Sequence, residues 1–219
     1  MLAPEPATVL LVGHVTLDRR GDGFTPGGCA YYAGQAYAGL GARVRVASAA
    51  GPEFPREALG AAEMALAPAP CTTTFHNSYR PDGVRDQRVM AAAPRLDPAH
   101  LPAGWREADV LHLAPILAEV DILAYRRAVR TRFVGLGVQG WVRRLMPDGT
   151  VFQPPWEPSA EELAGVDAAV LGEDDVKGQG DLVGRLARHV RIVAFTHGPR
   201  GCEVIVRGRT VHVGAYPTR

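Results

Sequence analysis

Residues 27–54 read GGCAYYAGQAYAGLGARVRVASAAGPEF. Gly27-Gly28 opens a Gly- and Ala-rich segment of helical length (27–41) that closes on Gly41, a C-cap pattern. The run ARVRVASAAG (42–51) then reads as a strand. Two adjacent glycines let backbone approach a ligand closely, and free N–H groups at a helix start favour oxygen-rich or anionic groups. A tight turn with close helix–sheet packing explains the pair equally well. Upstream, TVLLVGHVTLD (8–18) reads as a buried strand running on toward the surface. Downstream, PREALGAAEMAL (55–66) has Pro at its start and reads as a second helix. The succession β-α-β-α predicts a mostly parallel sheet flanked by helices, an α/β fold of Rossmann-like type.

That rhythm breaks at CTTTFHNSYR (71–80) and VRDQRVMAAA (84–93), two β-rich runs around the turn Pro81-Asp82-Gly83. A hairpin cannot be a parallel crossover, so 71–93 and 14–26 are expected to form a small protruding β-sheet. Alternation then resumes: strand 108–115, helix 119–130, strands 132–138 and 168–172, helix 174–189 and strand 191–196. Pro147-Asp148-Gly149 predicts another hairpin, and Ser159 with Glu162 has capping-box spacing.

Composition narrows the function classes. The 219 residues carry a net charge of +1, which provides no global field for nucleic acid or an anionic membrane. Lys177 is the one lysine, so a phosphate grip must use arginine, backbone N–H groups or a metal. Cys29, Cys71 and Cys202 are widely spaced and form no zinc or disulfide pattern. The N-terminus lacks a basic segment before its apolar run, and no run approaches 18 apolar residues, so a cytoplasmic location is expected.

Several motifs carry possible chemistry. Asp18 lies just past the first strand, where open α/β sheets bind ligands, and a carboxylate there could hold two adjacent hydroxyls of a polyol. GLGVQG (135–140) matches G-x-G-x-x-G, but Pro147 follows too soon for the helix a dinucleotide site needs. LGEDD (171–175) puts three carboxylates at a strand end, suited to a helix dipole or to an outer-sphere Mg²⁺. Thr196-x-Gly198-x-x-Gly201 follows a strand directly and suits a nucleotide phosphate without being a lysine-bearing P-loop. His197 falls inside that motif.

The order of these pieces resembles the PfkB, or ribokinase-like, family of carbohydrate and nucleoside kinases. Its sharpest part is residues 27–54, which look like the family's N-terminal signature. QGWVRRL (139–145) and TTTFHNSYRPDG (72–83) lean toward divergent members such as inositol and nucleoside kinases. The resemblance implies transfer of the ATP γ-phosphoryl group to a hydroxyl of a small-molecule acceptor, with the small sheet acting as a lid. It implies that Asp18, Gly27 and Gly28 hold the acceptor, with Gln139 and Arg143 on the phosphate or acceptor side. It places Glu173 and Asp175 at the Mg²⁺-associated motif, and Thr196, Gly198 and Gly201 beside the nucleotide phosphates. Tyr32 stands where the family often has asparagine; an aromatic there could stack on a ring but removes an amide that fixes a sugar hydroxyl. Gly172 stands where the acidic motif usually begins with asparagine.

The family's D-x-T-G-A-G-D element supplies an anion hole and the base, and by the resemblance it falls beyond Arg219. The expectation is one incomplete ribokinase-like domain over 1–219, with no catalytic base named within it. A dimer is expected, through the C-terminal sheet edge or the lid. The competing reading is a catalytically inactive binding or regulatory protein on the same fold.

Overall fold

A computed structural model describes residues 5–79 and 85–216. The turn expected at 81–83 lies outside the described residues. Strand β1 (Thr8–Val12) is followed by β2 (Thr16–Arg20), β3 (Gly23–Gly27), helix α1 (Cys29–Gly39), β4 (Arg43–Ala50) and β5 (Glu63–Pro68). Next come β6 (Thr73–Tyr79), β7 (Arg85–Ala91), β8 (Glu107–Leu113), helix α2 (Ile122–Ala128) and β9 (Arg130–Gly137). The short pair β10 (Arg144–Leu145) and β11 (Val151–Phe152) precedes α3 (Ala160–Leu163), β12 (Ala168–Gly172) and α4 (Leu182–His189). Strands β13 (Ile192–Thr196), β14 (Cys202–Val206) and β15 (Arg209–Val213) complete the order.

Nine strands form one sheet in the order β15-β14-β13-β12-β9-β8-β1-β4-β5, parallel except for the terminal β13-β14-β15 meander. Central β1 pairs with β4 and β8 along its edges and meets a core on each face, so Val9–Val12 are all apolar and buried. Leu10 and Val12 enter one core with Leu111, Leu136, Leu171 and Val193; Val9 and Leu11 enter the other, against α1 and Val44. Stacked Trp141 and Trp156, with centroids 5.6 Å apart, belong to the first core.

A second sheet, β3-β2-β6-β7, is the small one expected from the hairpin signals. The run 8–18, expected as one strand, is two strands in different sheets. The break falls at Gly13, where a Cβ would stand 2.1 Å from the Ala114 carbonyl oxygen. The helix expected at 55–66 is a 3-10 turn at Arg56–Leu59 followed by β5, because Glu63–Pro68 finds a parallel partner in Arg45–Ala50. Tertiary pairing here overrides helix propensity.

The helix expected at 119–130 is shorter: Glu119 spends its carboxylate on backbone N–H groups, and Asp121 caps the helix instead. The helix expected at 174–189 is a 3-10 turn at Glu173–Val176 and then α4, separated by Gly178 and Gly180 at positive φ. The hairpin at Pro147-Asp148-Gly149 and the Ser159–Glu162 capping box form as expected. Every residue of β15 is exposed, which leaves the meander's outer edge open.

Candidate functional site: one cavity between the sheets

The chain crosses between the two sheets near one buried imidazole. His14, 1% exposed, lies between β1 and β2; its Nε2 donates to Pro94 O at 2.9 Å, and its Nδ1 accepts from Thr73 Oγ1 at 2.8 Å. Beside it Glu119, 2% exposed, accepts the backbone N–H groups of His14 (2.9 Å), Ile116 (2.9 Å) and Leu117 (2.7 Å). This carboxylate ties the end of β1 to the loop after β8. Gly28, at φ 92, completes the junction, because a Cβ there would stand 2.8 Å from His14 O. Its helix-capping position therefore requires glycine.

Above this junction, at the carboxyl ends of the parallel strands, lies a cavity of about 730 Å³. It gathers Asp18, Gly28, Tyr32, Gln139 and Arg143 on one side and Glu173, Asp175, Thr196 and Gly198 on the other. Residues widely separated in sequence thus share one space. Gly27 and Gly201 are not among its walls. Gly27 lies behind Asp18, while Gly201 makes the turn into β14, where a Cβ would meet Val213 O at 2.2 Å.

At the small-sheet end, Asp18 Oδ1 accepts from Asn77 Nδ2 at 3.3 Å, and Asn77 Oδ1 accepts from Gln87 Nε2 at 2.8 Å. Tyr32 is 60% exposed at the cavity mouth, packed edge-on against Tyr31. On the floor, Cys29 Sγ donates to Gln139 Oε1 at 3.5 Å. Burial pushes the Cys29 thiol up to about 11, against the opposing pull of the nearby Arg143 charge. Arg143 itself is only 4% exposed. His112 meets Tyr37 Oη at 3.4 Å, and burial lowers its imidazole to about 4.

At the other end, Glu173 Oε1 accepts from His197 Nδ1 at 3.0 Å and pairs with Arg200. The His197 hydrogen bond, then Arg200, holds the Glu173 carboxyl below its ordinary range. His197 Nε2 faces Glu203 at 3.6 Å, and its ring stands edge-on to Phe195. Asp175, 6% exposed, accepts the Gly172 N–H at 2.8 Å. Thr196 Oγ1 donates to Leu171 O at 3.3 Å, leaving its lone pairs as acceptors. Gly198 has no atom within 4 Å of where a Cβ would be, so its backbone stands open.

Among the described residues, no group of three or more His, Cys, Asp or Glu side chains is arranged to hold a metal ion. Glu173 is turned to His197 and Arg200, and Asp175 accepts a backbone N–H, so this donor set does not fit direct coordination. Sequence reasoning missed Asn77, Gln87, Cys29 and His112 as cavity walls. The period-2 alternation through Phe75 and Asn77 was the available signal for the lid pair. Among the described residues, no helix is long and apolar enough to cross a membrane.

No family model matches the chain, and no curated protein sequence matches it. Solved structures do. A pyrophosphate-dependent kinase in the ribokinase family, in a sulfate complex, superposes with a TM-score of 0.73 at 20% identity, covering 94% of this chain and 78% of that one. The ribokinase of Thermotoga maritima matches with a TM-score of 0.66 at 13% identity, over 97% and 79% of the two chains. The fructokinase of Xylella fastidiosa gives 0.66 at 15%, over 97% and 76%. The fold is therefore ribokinase-like. Its structural neighbours are sugar and inositol kinases of that family.

Proposed function

We propose that this chain is a small-molecule kinase of the PfkB type, transferring a terminal phosphoryl group to a hydroxyl of a sugar, a cyclitol such as inositol, or a nucleoside. The observation that carries the reading is the one cavity lined by Asp18 and Gly28 together with Thr196 and Gly198, with buried Arg143 also in its wall. A bound ATP, or the pyrophosphate used by one of the neighbours, would supply the transferable phosphoryl group. Asp18 accepts hydrogen bonds from acceptor hydroxyls and fixes the ring. The open backbone at Gly198 lets phosphate oxygens approach, and Arg143 offsets negative charge where the two substrates meet. Phosphoryl transfer depends chiefly on such positioning and charge stabilisation.

No carboxylate among the described residues is assigned as the base that takes the hydroxyl proton. The acidic residues do not fit direct coordination of Mg²⁺. Glu173 and Asp175 enter the reading as residues near the donor only. A soluble, cytoplasmic dimer with a small-molecule substrate completes the proposal.

The second reading, a binding protein without turnover, is favoured by one observation. Each carboxylate at the cavity is engaged: Asp18 with Asn77, Glu173 with His197 and Arg200, Asp174 with Lys177, and Asp175 with the Gly172 N–H. The test is labelled phosphoryl transfer from ATP or pyrophosphate to a panel of sugars, inositols and nucleosides. Labelled product supports the kinase. Acceptor binding without product supports the binder, and neither binding nor product removes both.

A further inference from the structure

The turns after β12 and β13 bring Glu173, His197 and Arg200 together in the cavity wall. Gly172 and Thr196 are direct partners on those parallel strands, so the residues that follow them, Glu173 and His197, leave the sheet side by side. The turn into β14 is closed by three backbone bonds: His197 N–H to Gly201 O at 2.8 Å, Arg200 N–H to His197 O at 3.2 Å, and Gly201 N–H to Gly198 O at 3.1 Å. In a 3-10 turn, side chains three residues apart lie one above the other, which stacks Arg200 over His197. Both turn to one oxygen, Glu173 Oε1: His197 Nδ1 donates to it at 3.0 Å, and Arg200 Nη2 donates beside it. Glu203, on β14, faces the other ring nitrogen at 3.6 Å but is not among the cavity walls. Two N–H donors from different residues thus share a single carboxylate oxygen. A tetrahedral phosphoryl group would give each an oxygen of its own and keep a third beside the open backbone of Gly198.

We propose that Glu173 is a built-in competitor for a phosphoryl group of the donor: its carboxylate occupies the His197–Arg200 pair and must swing aside before a phosphate takes that place. The inference rests on the kinase reading, and it gives Glu173 the task of setting donor affinity instead of holding Mg²⁺. The bond pattern supports it, because a carboxylate committed to His197 and Arg200 has left the role of metal ligand. The contact also opens readily. The Glu173 and Arg200 side chains are 46% and 69% exposed, and ion pairs in contact with water hold weakly. Once released, the Glu173 carboxylate is rehydrated. Tethering still makes it an effective rival, since a group on a short arm competes at a local concentration that a dilute free anion does not reach. A ligand displaces it by offering more charge and more oxygens than one carboxylate. A terminal phosphate, with close to two negative charges at neutral pH and three free oxygens, meets that condition.

Glu173→Gln tests the competition, because it keeps the shape of the side chain and removes its charge. Calorimetric titration of the 219-residue chain with inorganic pyrophosphate and with ATP, in magnesium-free buffer, reads the outcome. At least one of the two is expected to bind, and Glu173→Gln is expected to bind it about 10-fold more tightly than wild type. Arg200→Ala is expected to weaken binding about 10-fold. Adding Glu173→Gln to Arg200→Ala should then recover only about 3-fold or less, because competitor and ligand have lost the same partner. A merely structural role for Glu173 does not produce that coupling, and unchanged circular dichroism shows that the variants are folded. Unchanged or weaker binding in Glu173→Gln overturns the proposal, as does an Arg200→Ala affinity equal to wild type. A loss in Glu173→Gln that appears only when magnesium is added marks a metal ligand and overturns it too. If labelled phosphoryl transfer proceeds while Glu173→Gln shows no gain, the competitor falls and the kinase reading stands. If neither protein binds pyrophosphate or ATP and no label is transferred, both fall.

Discussion

A Cβ placed on Gly27 would stand 2.7 Å from Asp18 Oδ2. The absent side chain of one residue therefore makes room for the carboxylate of the other. Gly27→Ala is expected to push Asp18 off its bond to Asn77 and weaken acceptor binding about 10-fold, the scale of one charge-assisted hydrogen bond. Calorimetric titration with the best-binding polyol measures it. An unchanged affinity means that the Asp18 position does not matter to the acceptor.

Glu119 holds three backbone N–H groups in a site that water does not reach. Glu119→Ala leaves those donors buried and unsatisfied, at roughly 1–3 kcal/mol each before any relaxation. The expected loss of unfolding free energy is about 3 kcal/mol or more, read from urea titration. A loss under about 1 kcal/mol would show that the loop after β8 repacks freely.

His112 gives a pH dependence with a definite sign. Its folded-state value is lowered from 6.5 to about 4 by burial, so the unfolded chain binds a proton that the native chain refuses. Stability is fully present above about 6.5 and is lost as pH falls toward 4. His112→Leu should flatten this limb relative to wild type, leaving the contributions of the other titrating groups. Melting temperatures across pH 4–7 check it, and parallel curves for the two proteins would contradict it.

Cys29 should react slowly. With its thiol near 11, the thiolate fraction at pH 8 is about one in a thousand, and its Sγ is bonded to Gln139. Cys71, at the start of the lid hairpin, is expected to be carbamidomethylated by iodoacetamide well before Cys29. Peptide mass spectrometry over a time course distinguishes the two. Faster labelling of Cys29 would point to opening between the lid and the main sheet.

The sequence made the parallel sheet and its hairpin insertion legible because hydrophobic runs and turn residues are local signals. Residues 27–54 became α1 and β4 close to the expected bounds. It failed where partners decide. Glu63–Pro68 contains good helix formers, yet an open strand edge at β4 captured it. Residues 8–18 look continuous, and the close approach of Ala114 to Gly13 divides them. The same limit applies to the cavity. Gly28 caps a helix start and Thr196 ends a strand, where pattern points to them. Asn77 and Gln87 matter through pairing across a hairpin, and His112 through what covers it, and neither is visible along a single chain.

The small sheet also has a folding consequence. Its strands β2 and β6 pair in parallel, yet α1, β4 and β5 lie between them in sequence. The sheet therefore closes around an already lengthy loop, and β1 waits still longer for β8, with Thr8 reaching the Asp109 side chain 101 residues onward. Non-local pairings of this kind slow folding, because loop entropy is lost before the contacts repay it. During synthesis β1 emerges without its neighbours, so the β2–β3 hairpin and then the α1–β4 unit are the first parts with local partners to pack against. The cavity is accordingly among the last features to form, and ligand binding reports that the order of assembly has been completed.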